Sequence, residues 1–286
     1  MKLQFLVFAM TALSSLLSGL LPDWLATGTA EAQEARRNVS QCQAIAQSIP
    51  RASFASFSGP APIVSAAIAD ETVTLTYIGH STFLIETPGG ITIATDYSGW
   101  YPTPQPPMVA TMNRAHSSHY TLTPDPAIKS VLHGWSDVPG EKAKIDTVVG
   151  DTYIRNVTTD IRSGYGGPQP DGNSIFIFEV AGLCIGHLGH LHYELTDAHY
   201  TEIGRLDIVM VPVDGGLTMG ADSMSRIIKR LRSSLILPMH QPRPLQSFLA
   251  LFGPDFDVTY APTNSISVSM RTLPRKPLIY VAKGMQ

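Results

Sequence analysis

Apolar and polar positions alternate with a period of two over long stretches of this chain, and follow a helical period over only short ones. Val73, Leu75 and Tyr77 alternate. Residues 82–86 then run into Pro88-Gly89-Gly90 and resume at 91–94, predicting a β-hairpin with a Gly-rich turn that ends at Asp96. The apolar run 108–112 leads into a loop at 114–120. Strand signals recur at 145–149, 153–157, 174–180 and 183–188, the last two joined by Ala181-Gly182 as a second hairpin. Residues 207–213 and 234–239 are continuous apolar runs of the kind buried strands show. The tail stretches 265–270 and 278–281 read as edge strands.

Helical spacing is clearest over 221–233. There Met224, Ile227, Ile228 and Leu231 follow i, i+3, i+4, i+7, and Asp222 or Ser223 can cap the start. A second helix is predicted over 244–252, stopped by Gly253-Pro254, with short ones over 40–47 and 127–132. A Gly/Pro-rich loop at 163–172 is long enough to lie over a site. Two strand-rich halves, each followed by helical material, predict an α/β protein with two sheets face to face and helices outside. In that layout the strand-end loops converge on one edge.

Residues 1–32 stand apart from this pattern. Lys2, the apolar run 3–21 and Ala30-Glu31-Ala32 compose a signal peptide with an Ala-x-Ala cleavage site, so export to the periplasm or beyond is expected. An uncleaved membrane anchor is the alternative, since the run is nearly long enough to span. Residues 33–70 are polar, then Ser/Pro/Ala-rich, and read as an N-terminal wrapping segment ahead of a domain at 71–286. The 286 residues are 44% hydrophobic and 15% charged, which is ordinary for a globular chain. A net charge of −3 gives no electrostatic basis for binding nucleic acid or an anionic membrane. Cys42 and Cys184 are the two cysteines. An exported chain can join them, but a buried-looking strand around one and a Gln-rich segment around the other favour unlinked thiols.

Chemistry enters with histidine. His116 and His119 lie three apart in the 114–120 loop, His190 follows the strand at 183–188, and His240 follows that at 234–239. Neutral imidazole suits zinc and its neighbours, and functional groups gather on loops held by a rigid scaffold. A satisfied structural histidine is the bland alternative for each. By the period of two, His187 faces away from His190, which favours a core place or one orienting a ligand. His192, two beyond His190, reads as a rim residue or else a fifth group near the metal, and His133 and His199 as surface residues. His80 precedes a strand and either lines the pocket or is structural. Nucleophile-elbow, phosphate-loop and dinucleotide motifs are absent.

The segments Tyr77-Ile78-Gly79-His80-Ser81-Thr82-Phe83-Leu84-Ile85-Glu86, Thr95-Asp96, His187-Leu188-Gly189, Val211-Pro212-Val213-Asp214-Gly215-Gly216 and Pro238-Met239-His240 fall in order along the chain. Together they resemble the metallo-β-lactamase-fold hydrolases, most nearly the branch of ascorbate-6-phosphate lactonase-like metal-dependent hydrolases. The resemblance implies an αββα four-layer sandwich with a one- or two-zinc site between the sheets. The family motif His-x-His-x-Asp-His falls on Arg114-Ala115-His116-Ser117-Ser118-His119, so Arg114 replaces the first histidine and Ser118 the aspartate. The family's metal-bridging aspartate falls on His190, and its next ligand histidine, due near 158–162, has no counterpart. His116, His119 and His240 carry over, with His190 a changed but competent ligand type.

Arg114 donates only and cannot coordinate a cation. One metal position therefore keeps only His116, while the other keeps His119, His190 and His240, the ligand number of a catalytic zinc, with His116 completing that set or binding a substrate. One zinc rather than two is implied, with manganese or iron as alternatives, activating a water whose pKa falls towards ~7. Arg114 is expected to steady an anionic oxygen, and Asp96 to orient a ligand. Asp214 is expected as a general base, a ligand or an exposed turn residue, and His80 as a pocket residue. The expected function is an exported metal-dependent hydrolase of an anionic small molecule: a lactone, ester or phosphoester. The alternative is an inactive relative that binds a small anionic ligand or a partner in the same pocket. Neither nucleic acid nor, once the signal peptide is removed, a membrane is expected as a partner.

Overall fold

The alternating stretches at the start of the domain zip into one sheet. β1 (Val73–Gly79), β2 (Thr82–Glu86) and β3 (Thr92–Ala94) pair antiparallel in chain order. β4 (Val109–Met112) and β5 (Ser130–His133) add in parallel, and β13 (Ser265–Val268) returns to pair with β1. This computed structural model describes residues 39–43, 71–162, 167–240 and 245–285. The expected signal peptide and most of the wrapping segment lie outside the described residues. β5 replaces the helix expected over 127–132. Its ladder with β4, from Val109↔Ser130 to Met112↔His133, overrides a weak local helical pattern.

The second sheet has eight strands in the order β12-β14-β11-β10-β9-β8-β7-β6. These are β6 (Asp146–Val149), β7 (Thr152–Arg162), β8 (Pro168–Val180), β9 (Leu183–His187), β10 (Ile208–Pro212), β11 (Leu235–Met239), β12 (Asp257–Tyr260) and β14 (Leu278–Val281). Of the expected loop at 163–172, residues 163–166 lie outside the described residues and 168–172 are strand. A bulge between Thr159 and Ile161 keeps this Gly/Pro-rich stretch in the ladder, and Gly172 leaves the room Ile161 needs. β14 is interior rather than an edge, because β12 covers it. All four residues of β12 are exposed, so no apolar alternation betrays it.

β9, β10 and β11 are buried along their whole length and pair in parallel, as strands covered on both faces do. The two sheets share one core, with Leu75, Phe83 and Ile85 from the first meeting Phe176, Ile185 and Val211 from the second in a single cluster. The helices α1 (Asp197–Ile203), α2 (Ala221–Leu231) and α3 (Leu245–Leu249) all follow strands of the larger sheet. α2 buries Met224, Ile227 and Ile228, starts at Gly220 without a side-chain cap, and stops where Arg232 turns left-handed. Neither Asp222 nor Ser223 caps it. Ala110 and Met112 of β4 pack instead against Ile128 and Trp135, a small cluster built from loops. Among the described residues, no helix is long and apolar enough to cross a membrane.

Cys42 and Cys184 form a disulfide, correcting the expectation of unlinked thiols. The cause lies in a seat that local sequence does not advertise. Glu179 on β8 accepts hydrogen bonds from Ser40 Oγ at 2.6 Å and from the amides of Gln41 and Cys42 at 2.8 and 3.3 Å. Arg155 Nε grips the same carboxylate at 2.8 Å. The start of the 40–47 helix, seen at 41–43, is thereby pinned beside β9.

Candidate metal centre

Strand ends of the two sheets meet at a group of imidazoles. His80 turns between β1 and β2, Asp96 follows β3, and His116 and His119 sit in the loop after β4. His190 follows β9, Asp214 follows β10, and His240 follows β11. His80, Asp96 and His240 have φ of 52°, 44° and 60°, a left-handed backbone that costs a non-glycine residue about 1–3 kcal/mol. The loop tightens where His119 N donates to His116 O at 2.9 Å and Asn113 N to His119 O at 3.2 Å.

His119 is the hub. Its ring centroid lies 5.1 Å from His80, 4.9 Å from His190 and 4.9 Å from His240. His80 and His240 stack 4.1 Å apart, and a ring nitrogen from each of His80, His119 and His240 lies within 4.8 Å of the others. His190 touches His116 and His192, at centroid distances of 4.5 and 4.6 Å. His119, His190 and His240 are buried, whereas His116 is exposed.

Each buried ring is oriented through Nδ1. His119 Nδ1 donates to Asp96 Oδ2 at 2.5 Å, and Asp96 Oδ1 accepts from Asn113 Nδ2 at 2.9 Å. His240 Nδ1 faces Asp214 Oδ1 at 3.4 Å. His190 Nδ1 lies 2.8 Å from His192 Nε2. The buried Nε2 atoms of His119, His190 and His240 then have no hydrogen-bond partner. Leaving a buried polar atom unpaired costs ~1–3 kcal/mol. Three such atoms in touching rings fit a group that binds among them, and imidazole held by a carboxylate is the usual arrangement of a metal ligand. His187 is the contrast. Its Nε2 donates to Ser81 O at 2.8 Å and its Nδ1 accepts from Gly189 N at 3.1 Å, so it is a satisfied core residue.

Electrostatics favour the same use. Burial, reinforced by His80, holds the His119 pKa well below the ordinary histidine value, and burial lowers His240 and His190 likewise. Burial and the charge of His240 bring His80 down to about 4. These rings are neutral near pH 7, the form that ligates. Burial alone would raise Asp214, but hydrogen bonds from His240 and Thr218 hold its carboxyl well below the usual range. Burial pushes Asp96 up.

Two expected roles change. Arg114 does not join the imidazoles. It is exposed, with its guanidinium 6.0 Å from the Trp135 ring centre. The inward place in that loop belongs to the buried Asn113, so the next residue turns outward. Asp214 is neither free base nor exposed turn residue. Oδ2 accepts from the amides of Leu217 and Thr218 at 2.8 and 3.1 Å, and Oδ1 is engaged by His240 and by Thr218 Oγ1. Sequence reasoning missed Asn113, and it favoured the rim for His192, whose contact with His190 instead agrees with the other reading of their spacing. His133 stacks on Trp135, and His199 closes the capping box of α1.

Beside His80 opens a cavity of about 310 Å³ lined by Tyr77, Tyr101, Asn264 and Lys283.

Two facing sheets that gather histidines and carboxylates at their strand ends belong to a known class. The family model for a beta-lactamase superfamily domain matches residues 74–240, more than half of the chain, so the protein belongs to that family, with the metallo-β-lactamase fold. A UPF0173 metal-dependent hydrolase of Anaeromyxobacter dehalogenans is 25% identical over 217 residues, covering 58% of this chain and 73% of the relative. A solved structure from Thermotoga maritima, described as a Zn-dependent hydrolase of the metallo-beta-lactamase superfamily, is 27% identical. It covers 73% of this chain and 98% of its own, with a TM-score of 0.52. Igni18, a metallo hydrolase of Ignicoccus hospitalis, matches at 20% identity and TM-score 0.50 over 69% of this chain and 99% of its own, which speaks for the fold alone.

Proposed function

We propose that this protein is a metal-dependent hydrolase of small molecules, with one ion held by His119, His240 and His80. The observation that carries it is the meeting of the buried, unpartnered Nε2 atoms of His119 and His240 with His80, whose ring offers a nitrogen within 4.8 Å of a nitrogen on each. Zinc is the proposed metal, because an all-imidazole donor set suits it. Bound there, such an ion supplies Lewis acidity and a nucleophile available near neutral pH.

The chain's own residues supply orientation and selection. Asp96 and Asp214 hold the His119 and His240 rings with Nε2 turned into the pocket. His116 stands exposed against His190 and is placed to bind a substrate there. The cavity beside His80 is within the range of small-molecule sites, ~300–1,000 Å³, and Lys283 at its wall suits a carboxylate or phosphate. A lactone, ester or phosphoester of an anionic molecule is the proposed substrate class, and kinship with the lactonase branch is part of the same proposal. Export is proposed too, supported by the Cys42–Cys184 disulfide, since such bonds persist in oxidising compartments.

The test is metal analysis of protein purified without chelator, followed by an esterase, lactonase and phosphodiesterase panel. About one equivalent of metal is expected, lost in His119→Ala together with turnover. Less than about half an equivalent, unaltered by that substitution, would overturn the reading.

A further inference from the structure

The three unpartnered Nε2 atoms look alike by burial, but their hydrogen-bond chains make them different. A main-chain N–H can only donate, and Arg162 N reaches His192 Nδ1 at 2.7 Å. That nitrogen of His192 is therefore bare, and the single proton of the ring sits on Nε2. His192 Nε2 faces His190 Nδ1 at 2.8 Å, so it is the donor there. His190 Nδ1 is then bare as well, and its proton sits on Nε2, the atom turned into the pocket without a partner.

His119 and His240 run the other way. Each turns Nδ1 towards a carboxylate, which only accepts. Their protons sit on Nδ1 and their Nε2 atoms carry lone pairs. Of these three Nε2 atoms, two thus present lone pairs fit for a cation, alongside His80, and the third presents an N–H that cannot bind one.

We propose that His190 is a hydrogen-bond donor to the substrate rather than a metal ligand, and that His192 is the positioning residue that fixes it in that role. The proposal deepens the hydrolase reading and rests on it for the ion and its ligands. Its substrate counterpart is an oxygen that gains negative charge on attack, the carbonyl oxygen of an ester or lactone or a phosphoryl oxygen. A preorganised buried donor at that oxygen stabilises the transition state more than the ground state. The anchor of the relay is firm. Arg162 Nη2 also donates to Gly216 O at 3.2 Å and Thr218 O at 2.9 Å, on the loop whose amides Asp214 holds.

The experiment is long-range ¹H–¹⁵N correlation of histidine-labelled full chain, metal-free and zinc-loaded, alongside zinc titration of variants. Expected for the unsubstituted protein are a protonated Nε2 and bare Nδ1 on His190, with the reverse on His119. His192→Gln, whose amide still donates, keeps that pattern, while His192→Glu, which only accepts, moves the proton to Nδ1. His190→Gln weakens zinc binding by less than about threefold, and His119→Gln by ~100-fold or more. A protonated Nδ1 on His190 in the unsubstituted protein, or a loss above about tenfold in His190→Gln, would overturn the proposal. If the unsubstituted protein takes up no zinc, the hydrolase reading falls, and the metal-free spectrum still decides where the proton on His190 lies.

Discussion

The main-chain amide of His240 donates to the carbonyl oxygen of His80 across 3.0 Å, while the two rings stack 4.1 Å apart. One residue ends a strand of the larger sheet, and the other turns between the first two strands of the smaller one. This contact stitches the sheets together at the site and sets two imidazoles side by side through backbone alone.

The carboxylate behind His119 is expected to govern metal affinity. In Asp96→Asn the amide can donate to Nδ1, which drives the imidazole proton onto Nε2 and removes the lone pair. Metal affinity should fall ~10–100-fold by competition with a chromophoric chelator. Affinity within about threefold of the parent would show that Asp96 does not orient this ring.

Acid should destabilise the metal-free protein over a defined window. A histidine with a folded pKa below its unfolded ~6.5 binds fewer protons folded than unfolded, so stability is full above that value and drops as pH falls. His80, lowered first by burial and then by His240, and His192, lowered by burial and by Arg162, both reach about 4. Urea midpoints of chelator-treated protein should therefore decline between pH ~6.5 and about 4. A flat profile there would contradict the neutral cluster.

Cys184→Ser should destabilise strongly, because the bridge spans a sequence separation of 142 residues. Loop-closure entropy puts the loss at roughly 5 kcal/mol, an upper value if the reduced chain keeps structure. Denaturant unfolding with and without reductant measures it, and the variant should match the reduced parent.

Arg114→Ala should leave metal binding untouched. The exposed cation near Trp135 is worth ~0.5–1 kcal/mol, so stability should change by no more than that, and turnover by less than about threefold. A collapse of kcat alone would put Arg114 back at the reacting atoms.

Much of the architecture was readable because burial writes itself as pattern. The continuous apolar runs at 207–213 and 234–239 became β10 and β11, and the histidines beyond β9 and β11 came together with His119. What stayed hidden depends on contacts with no local trace. β12 has no buried face, β5 forms only because β4 lies beside it, and the disulfide follows from the grip of Glu179 on residues 40–42. At the site, sequence could place the imidazoles but not their protons. The bond between His190 and His192, and the outward turn of Arg114, depend on neighbours from other strands.

The left-handed corners at His80, Asp96 and His240 carry a practical consequence for anyone engineering this scaffold. Glycine would relax each corner by removing the Cβ that makes it awkward. At Asp96 and His240 that relief would be offset by the void a buried side chain leaves and by the hydrogen-bond partners it abandons. Only the half-buried corner at His80 is open to such relaxation, at the loss of an imidazole from the pocket, so a campaign for heat tolerance has to score catalysis from its first round.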